Sequence, residues 1–136
     1  MNVAVEGVVL PNKPLSNFEL MDAVDKLKIQ NFRGVFLRDT LPGKSKKKEC
    51  GILNLDDTSG SGTHWVAWWK NNDVKFYFDS FGLPPPLEME KYLKSLKYNT
   101  EEIQSRNQVV CGHLCLYVLK HLSMGKSMQN IINNLH

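Results

Sequence analysis

Two β-rich runs separated by three polar residues constrain this chain more than any other feature of its sequence. The runs span residues 64–70 and 74–79, and the Asn-Asn-Asp sequence between them is typical of a tight hairpin turn. His64 begins the first run and Asp79 ends the second. Because side chains alternate between the faces of a strand, the turn fixes which face each residue occupies.

The two turns that the spacing permits both bring His64 and Asp79 to one face. A turn at residues 71–72 places them directly opposite each other, with Cβ atoms about 5 Å apart. A turn at residues 72–73 makes them diagonal neighbours. Trp68 shares their face and is predicted to form the wall of a cleft. The other face is predicted to be core, and it carries Trp65, Ala67, Trp69, Val74, Phe76 and Phe78.

The remaining pattern predicts one α+β domain over residues 1–136, with a mainly antiparallel sheet. Ser16 and Glu19 fit a capping box at the start of a helix. The predicted elements are an extended arm over 1–12, helices over 16–29, 86–96, 111–123 and 127–135, strands over 32–38 and 50–55, and loops over 41–49 and 57–63. The longest unbroken apolar run has six residues, against roughly 18 for a membrane span, so we expect no membrane association.

Cys111 lies where the clearest helix begins, in the sequence Val-Val-Cys-Gly-His. A helix N-terminus favours the thiolate, and Gly112 beside it would leave room for a substrate backbone. A thiolate near a histidine that is held by an acid is the arrangement used for nucleophilic acyl transfer. Taken alone, a His–Asp pair across a hairpin is more often a structural ion pair, and a helix cysteine more often packs in the core, as predicted for Cys115.

Two further site hypotheses depend on spacing. Gln104 precedes the thiol by seven residues and could donate its amide to an oxyanion, as could Gln108. The three cysteines, Cys50, Cys111 and Cys115, could form a zinc site with a histidine, but the sequence has no C-x-x-C pair, so no metal and no cofactor are predicted. The odd cysteine count and the lack of a signal-peptide pattern predict reduced thiols and a protein that is not secreted.

Three motifs together resemble the adenovirus maturation protease family, the adenain-like cysteine proteases, which are related to the proteases of SUMO and other ubiquitin-like proteins. The resemblance covers about residues 14–125. The motifs are Gly-Thr-His-Trp-Val-Ala at 62–67, Tyr-Phe-Asp-Ser-Phe-Gly at 77–82, and Gln104 with seven residues to Cys111-Gly112. The short chain looks most like compact members from virophages, adomaviruses and self-synthesising DNA transposons.

The resemblance implies a papain-like cysteine protease variant, with the nucleophile at the N-terminus of a core helix and a central sheet between helices. It implies that Cys111 is the nucleophile, His64 the general base and acid, and Asp79 the residue that orients His64. It further implies that Gln104 donates to the oxyanion with the backbone N–H of Cys111, and that Trp65 lines a narrow channel for glycine-like residues.

The implied function is a viral or transposon-encoded endopeptidase that cleaves capsid precursor proteins at glycine-containing sites, in the virion or in the host cytoplasm or nucleus. The alternative is a protease that removes ubiquitin-like modifiers from host proteins.

Asp79 stands where adenovirus enzymes carry Glu. No cysteine lies between the acid and Gln104, so activation by a disulfide-linked peptide is not expected. The densest basic cluster consists of Lys44, Lys46, Lys47 and Lys48. These lysines could contact DNA, and the alternative is that they form a solvated loop with no partner.

Overall fold

The computed structural model describes residues 2–56, 64–104 and 108–135, and the predicted loop over 57–63 lies outside them. The elements in chain order are β1 (Asn2–Val5), β2 (Val8–Pro11), α1 (Asn17–Leu27), β3 (Phe32–Leu37), β4 (Lys48–Asn54), β5 (Trp65–Asn71), β6 (Val74–Phe78), α2 (Leu87–Leu93), β7 (Lys97–Tyr98), α3 (Cys111–Ser123) and α4 (Met128–Leu135). The α+β prediction is confirmed, and the helix predicted over 111–123 has those bounds.

A five-stranded sheet in the order β3-β4-β5-β6-β7 forms the centre of the fold. Its two central pairings, β4 with β5 and β5 with β6, are antiparallel. At the two edges, β3 pairs in parallel with β4, and β7 pairs in parallel with β6. The strands β1 and β2 form a separate antiparallel hairpin. The sheet is therefore mainly antiparallel, as predicted.

The sheet is buried on both faces, which corrects the prediction for Trp68. One face packs against α1, α3 and α4 in the larger core, while Trp68 belongs to a second core on the opposite face, with Met89 and Leu93 of α2. Trp68 is 1% exposed and its Nε1 donates to Glu49 Oε2 at 2.7 Å, so it is not a cleft wall. The alternation of residues in β5 predicted its face correctly but could not reveal that α2 covers that face.

The buried Glu49 carboxylate joins four parts of this second core. Besides the Trp68 indole, it accepts hydrogen bonds from the Tyr92 hydroxyl at 2.7 Å and from Arg33 at 3.1 Å. It also accepts from the backbone N–H of Lys46, which lies in the lysine-rich loop. A buried carboxylate is tolerated where each oxygen has such partners, and here they tie β3, β4, β5 and α2 together.

The capping box predicted for α1 is present. Ser16 Oγ accepts from the Glu19 N–H at 3.1 Å, and Glu19 Oε1 accepts from the Ser16 N–H at 3.0 Å. The helix ends at Leu27, two residues earlier than predicted, because Lys28 adopts a left-handed conformation with φ 56°. Such a residue commonly ends a helix by letting its N–H bond back to the last carbonyls.

Val74, which was predicted to be core, is exposed, and so is the start of the helix predicted over 86–96. Leu87 is 61% exposed at the first position of α2. That helix ends at Leu93 because Lys94 and Ser95 both have positive φ values. Val74 is 50% exposed, and it begins β6 directly after the hairpin turn.

The predicted extended arm over 1–12 is the β1–β2 hairpin, which lies against α3. Its turn uses Glu6 and Gly7, both with positive φ. The hairpin contacts the helix at two histidines eight residues apart: His113 Nε2 donates to the Pro11 carbonyl at 2.8 Å, and His121 Nε2 lies 2.7 Å from Glu6 Oε1. The first of these contacts lies one helical turn or less from Cys111, so the hairpin supports the end of α3 that carries the thiol.

Candidate active site

The hairpin adopts the second of the two predicted registers. Asn71 pairs with Val74, so the turn is at residues 72–73, and Asn72 has φ 57°. Extending that register past the strand ends places His64 opposite Phe81. The two rings do stack, with centroids 4.0 Å apart and planes 4° apart. Asp79 is therefore a diagonal neighbour of His64 on the same face, as this register predicts.

His64 and Asp79 form a short, buried hydrogen bond. The distance from His64 Nε2 to Asp79 Oδ1 is 2.7 Å, and their side chains are 8% and 0% exposed. The same carboxylate oxygen accepts from the Phe81 backbone N–H at 2.8 Å, which fixes its position. Because Nε2 must donate to the carboxylate, the neutral ring carries its proton there and presents Nδ1 as the acceptor.

Cys111 is the first residue of α3 and is 8% exposed, and its thiol interacts with the His64 side chain. Burial opposes ionisation of the thiol, but the His64 bond and the backbone N–H groups of Trp65 and Gly112 lower the pKa of Cys111 below its ordinary value. The N–H of Gly112 is available because the first N–H groups of a helix have no intrahelical partner. The site thus stabilises a thiolate in a buried position.

His64 experiences the complementary effect. Burial alone would lower its pKa, but the hydrogen bonds to Asp79 and Cys111 raise the pKa of His64 to about 9. Since the thiol pKa falls while the imidazole pKa rises, the two groups together favour a thiolate–imidazolium pair. This is the protonation state from which a cysteine nucleophile reacts.

Gln104 is 1% exposed and its amide is fixed at both ends. Its Nε2 donates to the Gln108 backbone carbonyl at 2.8 Å, and its Oε1 accepts from the Ser80 hydroxyl at 2.6 Å. One N–H of the amide group remains for another acceptor. Sequence spacing left Gln104 and Gln108 as equal candidates. In the structure the side chain of Gln104 is buried in this network, whereas Gln108 is exposed and contributes its carbonyl.

Ser80 and Asn99 support the site and were missed by the sequence analysis. The Asn99 side-chain amide forms two hydrogen bonds with the Asp79 backbone: its Oδ1 accepts from the N–H at 3.0 Å, and its Nδ2 donates to the carbonyl at 2.7 Å. Ser80 stands within the Asp-Ser-Phe-Gly motif, which was a usable signal. Asn99 lies in a segment with no pattern that marks it, since its partner is twenty residues away.

Trp65 and Gly112, predicted to contact substrate, lie beside each other next to Cys111. A Cβ on Gly112 would come within 3.3 Å of the Trp65 ring and 3.2 Å of Leu20, so the missing side chain allows α3 to pack closely against its neighbours. The half-buried Trp65 indole donates to the Leu15 carbonyl at 2.8 Å. The glycine therefore has a packing role, and the substrate contacts of both residues stay predictions.

The other two cysteines have no part in this arrangement. Burial raises the pKa of Cys50 to about 12 and raises the pKa of Cys115 as well, and both thiols are fully buried.

Across residues 2–56, 64–104 and 108–135, no three His, Cys, Asp or Glu side chains are grouped so that they could hold a metal ion. In the same ranges, none of the helices has the length and apolar character needed to cross a membrane.

No protein-family model and no curated protein matches the chain. Among solved structures it is similar to the ASFV pS273R protease, in a crystal structure with a TM-score of 0.62 and 17% sequence identity. The selenomethionine form of that protease gives a TM-score of 0.61 at the same identity. Each match covers 90% of this chain and 62% of the protease chain, so this chain spans less than two thirds of the protease. The chain thus has the fold of a viral protease.

Proposed function

We propose that this protein is a cysteine endopeptidase of the broad class that contains the adenain-like and ubiquitin-like-protein proteases. The observation that carries the proposal is the grouping of three side chains: the 2.7 Å hydrogen bond between Asp79 and His64, and the interaction of His64 with Cys111 that lowers the pKa of the thiol. A structural ion pair would need Asp79 and His64 alone. The third member, a thiol with a lowered pKa at a helix N-terminus, is what nucleophilic catalysis adds.

The first half of the reaction would form a thioester. The Cys111 thiolate attacks the carbonyl carbon of the scissile bond, and the carbonyl oxygen takes up the electron pair as an oxyanion. The His64 imidazolium then gives its proton to the leaving amine as the C–N bond breaks, so the ring becomes neutral. Asp79 accepts the hydrogen bond from Nε2–H throughout, stays ionised and holds the ring in the required tautomer.

In the second half, neutral His64 removes a proton from water, and the resulting hydroxide attacks the thioester carbonyl. Collapse of this second oxyanion breaks the C–S bond and regenerates the Cys111 thiolate beside the protonated ring. The backbone N–H of Cys111 and the remaining N–H of the Gln104 amide are the donors proposed for both oxyanions. Buried, prearranged donors of this kind stabilise the developing charge without reorganising during the step.

The proposed substrates are capsid precursor proteins cleaved at glycine-containing sites. Two features support this choice: the fold is that of a viral protease, and the motifs around His64, Asp79 and Cys111 resemble a family with that specificity. The indole of Trp65 is half-buried directly beside Gly112 and is the residue proposed to restrict the channel near the scissile bond.

Peptide libraries with and without adjacent glycines, candidate capsid precursors and ubiquitin-like fusion proteins would be incubated in parallel, with cut sites mapped by mass spectrometry. We expect cleavage at glycine-containing sites, and at least a 1,000-fold loss in Cys111→Ala, roughly what removal of a nucleophile costs. Cys50→Ala is the matched control, because this thiol is buried and bonded only to a backbone carbonyl in the described structure. Full activity in Cys111→Ala would refute the proposal, while exclusive cleavage of modifier fusions would favour the deconjugating enzyme.

A further inference from the structure

The Gln104 side chain can adopt only one of its two amide orientations in this site. Its inner neighbours are the Gln108 carbonyl, which can only accept, and the Ser80 hydroxyl, which can donate. The atom beside the carbonyl must therefore be Nε2, and the atom 2.6 Å from Ser80 Oγ must be Oε1. Ser80 is the donor in this bond, since the amide oxygen has no proton to give.

Ser80 also fixes the backbone that carries this amide. Its carbonyl accepts from the Gln104 N–H at 3.0 Å and from the Ile103 N–H at 2.8 Å. With its hydroxyl, Ser80 thus forms two separate hydrogen bonds to Gln104, one to the backbone and one to the side chain. Both residues are at most 1% exposed, so water cannot replace the hydroxyl without a rearrangement.

The neighbouring residue connects the same backbone to the histidine. Asp79 precedes Ser80 and bonds His64, and its own peptide groups are held on both sides by the Asn99 amide. Two consecutive residues at the end of β6 therefore set the positions of two groups: Asp79 sets the imidazole and Ser80 sets the amide.

We propose that Ser80 is a positioning residue for oxyanion stabilisation, acting through Gln104; this inference rests on the proposed acyl-transfer function. Its hydroxyl keeps Nε2 directed away from Ser80, with one N–H on the Gln108 carbonyl and the other as the donor proposed for the oxyanion. Without the hydroxyl, Oε1 is a buried acceptor that has no donor among residues 2–56, 64–104 and 108–135. The amide then gains free energy by turning toward water, away from the reacting carbonyl.

The test compares two reactions of the Cys111 thiol in the full chain. Acylation by p-nitrophenyl acetate forms an oxyanion, whereas alkylation by iodoacetamide needs the thiolate but forms none. We expect Ser80→Ala to slow acylation about tenfold, the effect of leaving one buried acceptor unpaired, and to leave alkylation unchanged. Ser123→Ala is the control, because it removes an exposed hydroxyl that donates to the Lys120 carbonyl at the other end of α3.

A double-mutant cycle separates positioning from general loosening of the site. In a Gln104→Ala background, Ser80→Ala is expected to cause no further loss of acylation. An equal loss in both backgrounds, or a parallel loss of alkylation, would overturn the inference. Ser80→Cys keeps the shape of the side chain with a weaker donor, so it should lose less of the acylation rate than Ser80→Ala. It serves as the test variant if Ser80→Ala does not fold. A wild type that is alkylated normally but never acylated would overturn the proposed function itself, and the role of Ser80 with it.

Discussion

At the scale of single residues, His64 is the centre of the site because it interacts with both an acceptor and the thiol. Asp79 Oδ1 accepts a hydrogen bond from His64 Nε2 at 2.7 Å, and the Cys111 thiol interacts with the same side chain. Phe81 stacks on the ring and its N–H holds the carboxylate, so the imidazole is fixed in orientation as well as in tautomer. The pKa directions of His64 and Cys111 follow from this one arrangement.

The pKa directions predict how the reactivity of Cys111 depends on pH. The lowered thiol pKa gives thiolate at lower pH than for an ordinary cysteine, and the imidazolium persists until pH rises through about 9. Peptide hydrolysis should therefore decline above about pH 9, where the acid for the leaving amine is lost. Alkylation, which needs no acid, should not decline there. In His64→Ala the alkylation midpoint should move to higher pH, because burial then opposes ionisation of Cys111 without the lowering effect of His64. Coincident alkylation profiles for the two proteins would contradict the coupling.

The raised pKa of His64 also makes the stability of the folded protein depend on pH. The pKa of His64 in the folded protein, about 9, lies above its ordinary value of 6.5, so the folded state binds the proton more tightly. This contribution is fully present below pH 6.5 and is lost as pH rises to about 9.

How much of the site could be predicted depended on whether local pattern or tertiary contact decides a residue. The position of Cys111 at a helix start and the shared face of His64 and Asp79 follow from local periodicity, because strand alternation and helix boundaries are local. The role of Asn99 could not be predicted, since it contacts Asp79 twenty residues earlier in the chain. The two residues are separated by α2 and β7, so only the tertiary fold brings them together.

At the scale of elements, α2 is the helix whose effect sequence analysis underestimated. It covers the face of the sheet that carries Trp68, and this second core requires Gly51 on the neighbouring strand. Trp68 pairs with Gly51 between β5 and β4, and the indole lies across the glycine. Periodicity predicts which residues share a face. It does not reveal that a short helix beginning about twenty residues further along the chain will bury that face, so Trp68 was predicted to line a cleft.

Replacing Gly51 with alanine should be strongly destabilising. The added Cβ would lie 2.3 Å from the Trp68 ring, which cannot move freely because its Nε1 is bonded to Glu49. We expect a loss of about 3 kcal/mol in the free energy of unfolding, the upper part of the usual range for overpacked cores. Urea denaturation followed by tryptophan fluorescence measures it.

Gly43→Ala is the matched control for this substitution. Gly43 is exposed, and a Cβ there would meet no atom within 4 Å. We expect a change within about 0.5 kcal/mol. If Gly51→Ala were as stable as Gly43→Ala, the close packing of Trp68 on β4 would be wrong.

At the scale of the whole molecule, α3 has chemically different surroundings at its two ends. Its first residue is Cys111, beside His64. Its last turn borders a cavity of about 460 Å³ whose lining includes Lys28, Lys48, Lys70 and Lys120. Lys120 donates to the Leu27 carbonyl and Lys70 to the Ser45 hydroxyl, both neutral acceptors. The cluster of Lys44, Lys46, Lys47 and Lys48 adjoins this cavity through Lys48, the first residue of β4, so positive charge gathers at the end of α3 that lies away from the thiol.

This charge distribution sharpens the expectation of DNA contact. The four loop lysines are all exposed. A lysine that neutralises a phosphate releases a counterion, so log Kd for DNA should depend on log salt with a slope that falls by about 0.9 for each contacting lysine removed. Changing Lys44, Lys46, Lys47 and Lys48 to alanine is therefore expected to weaken binding at low salt and to flatten the slope. The charge-matched control changes four exposed lysines elsewhere to alanine: Lys26, Lys91, Lys94 and Lys97. Duplex DNA affinity measured at several salt concentrations distinguishes the cases, because equal slopes in both variants would mean that the loop lysines are merely solvated.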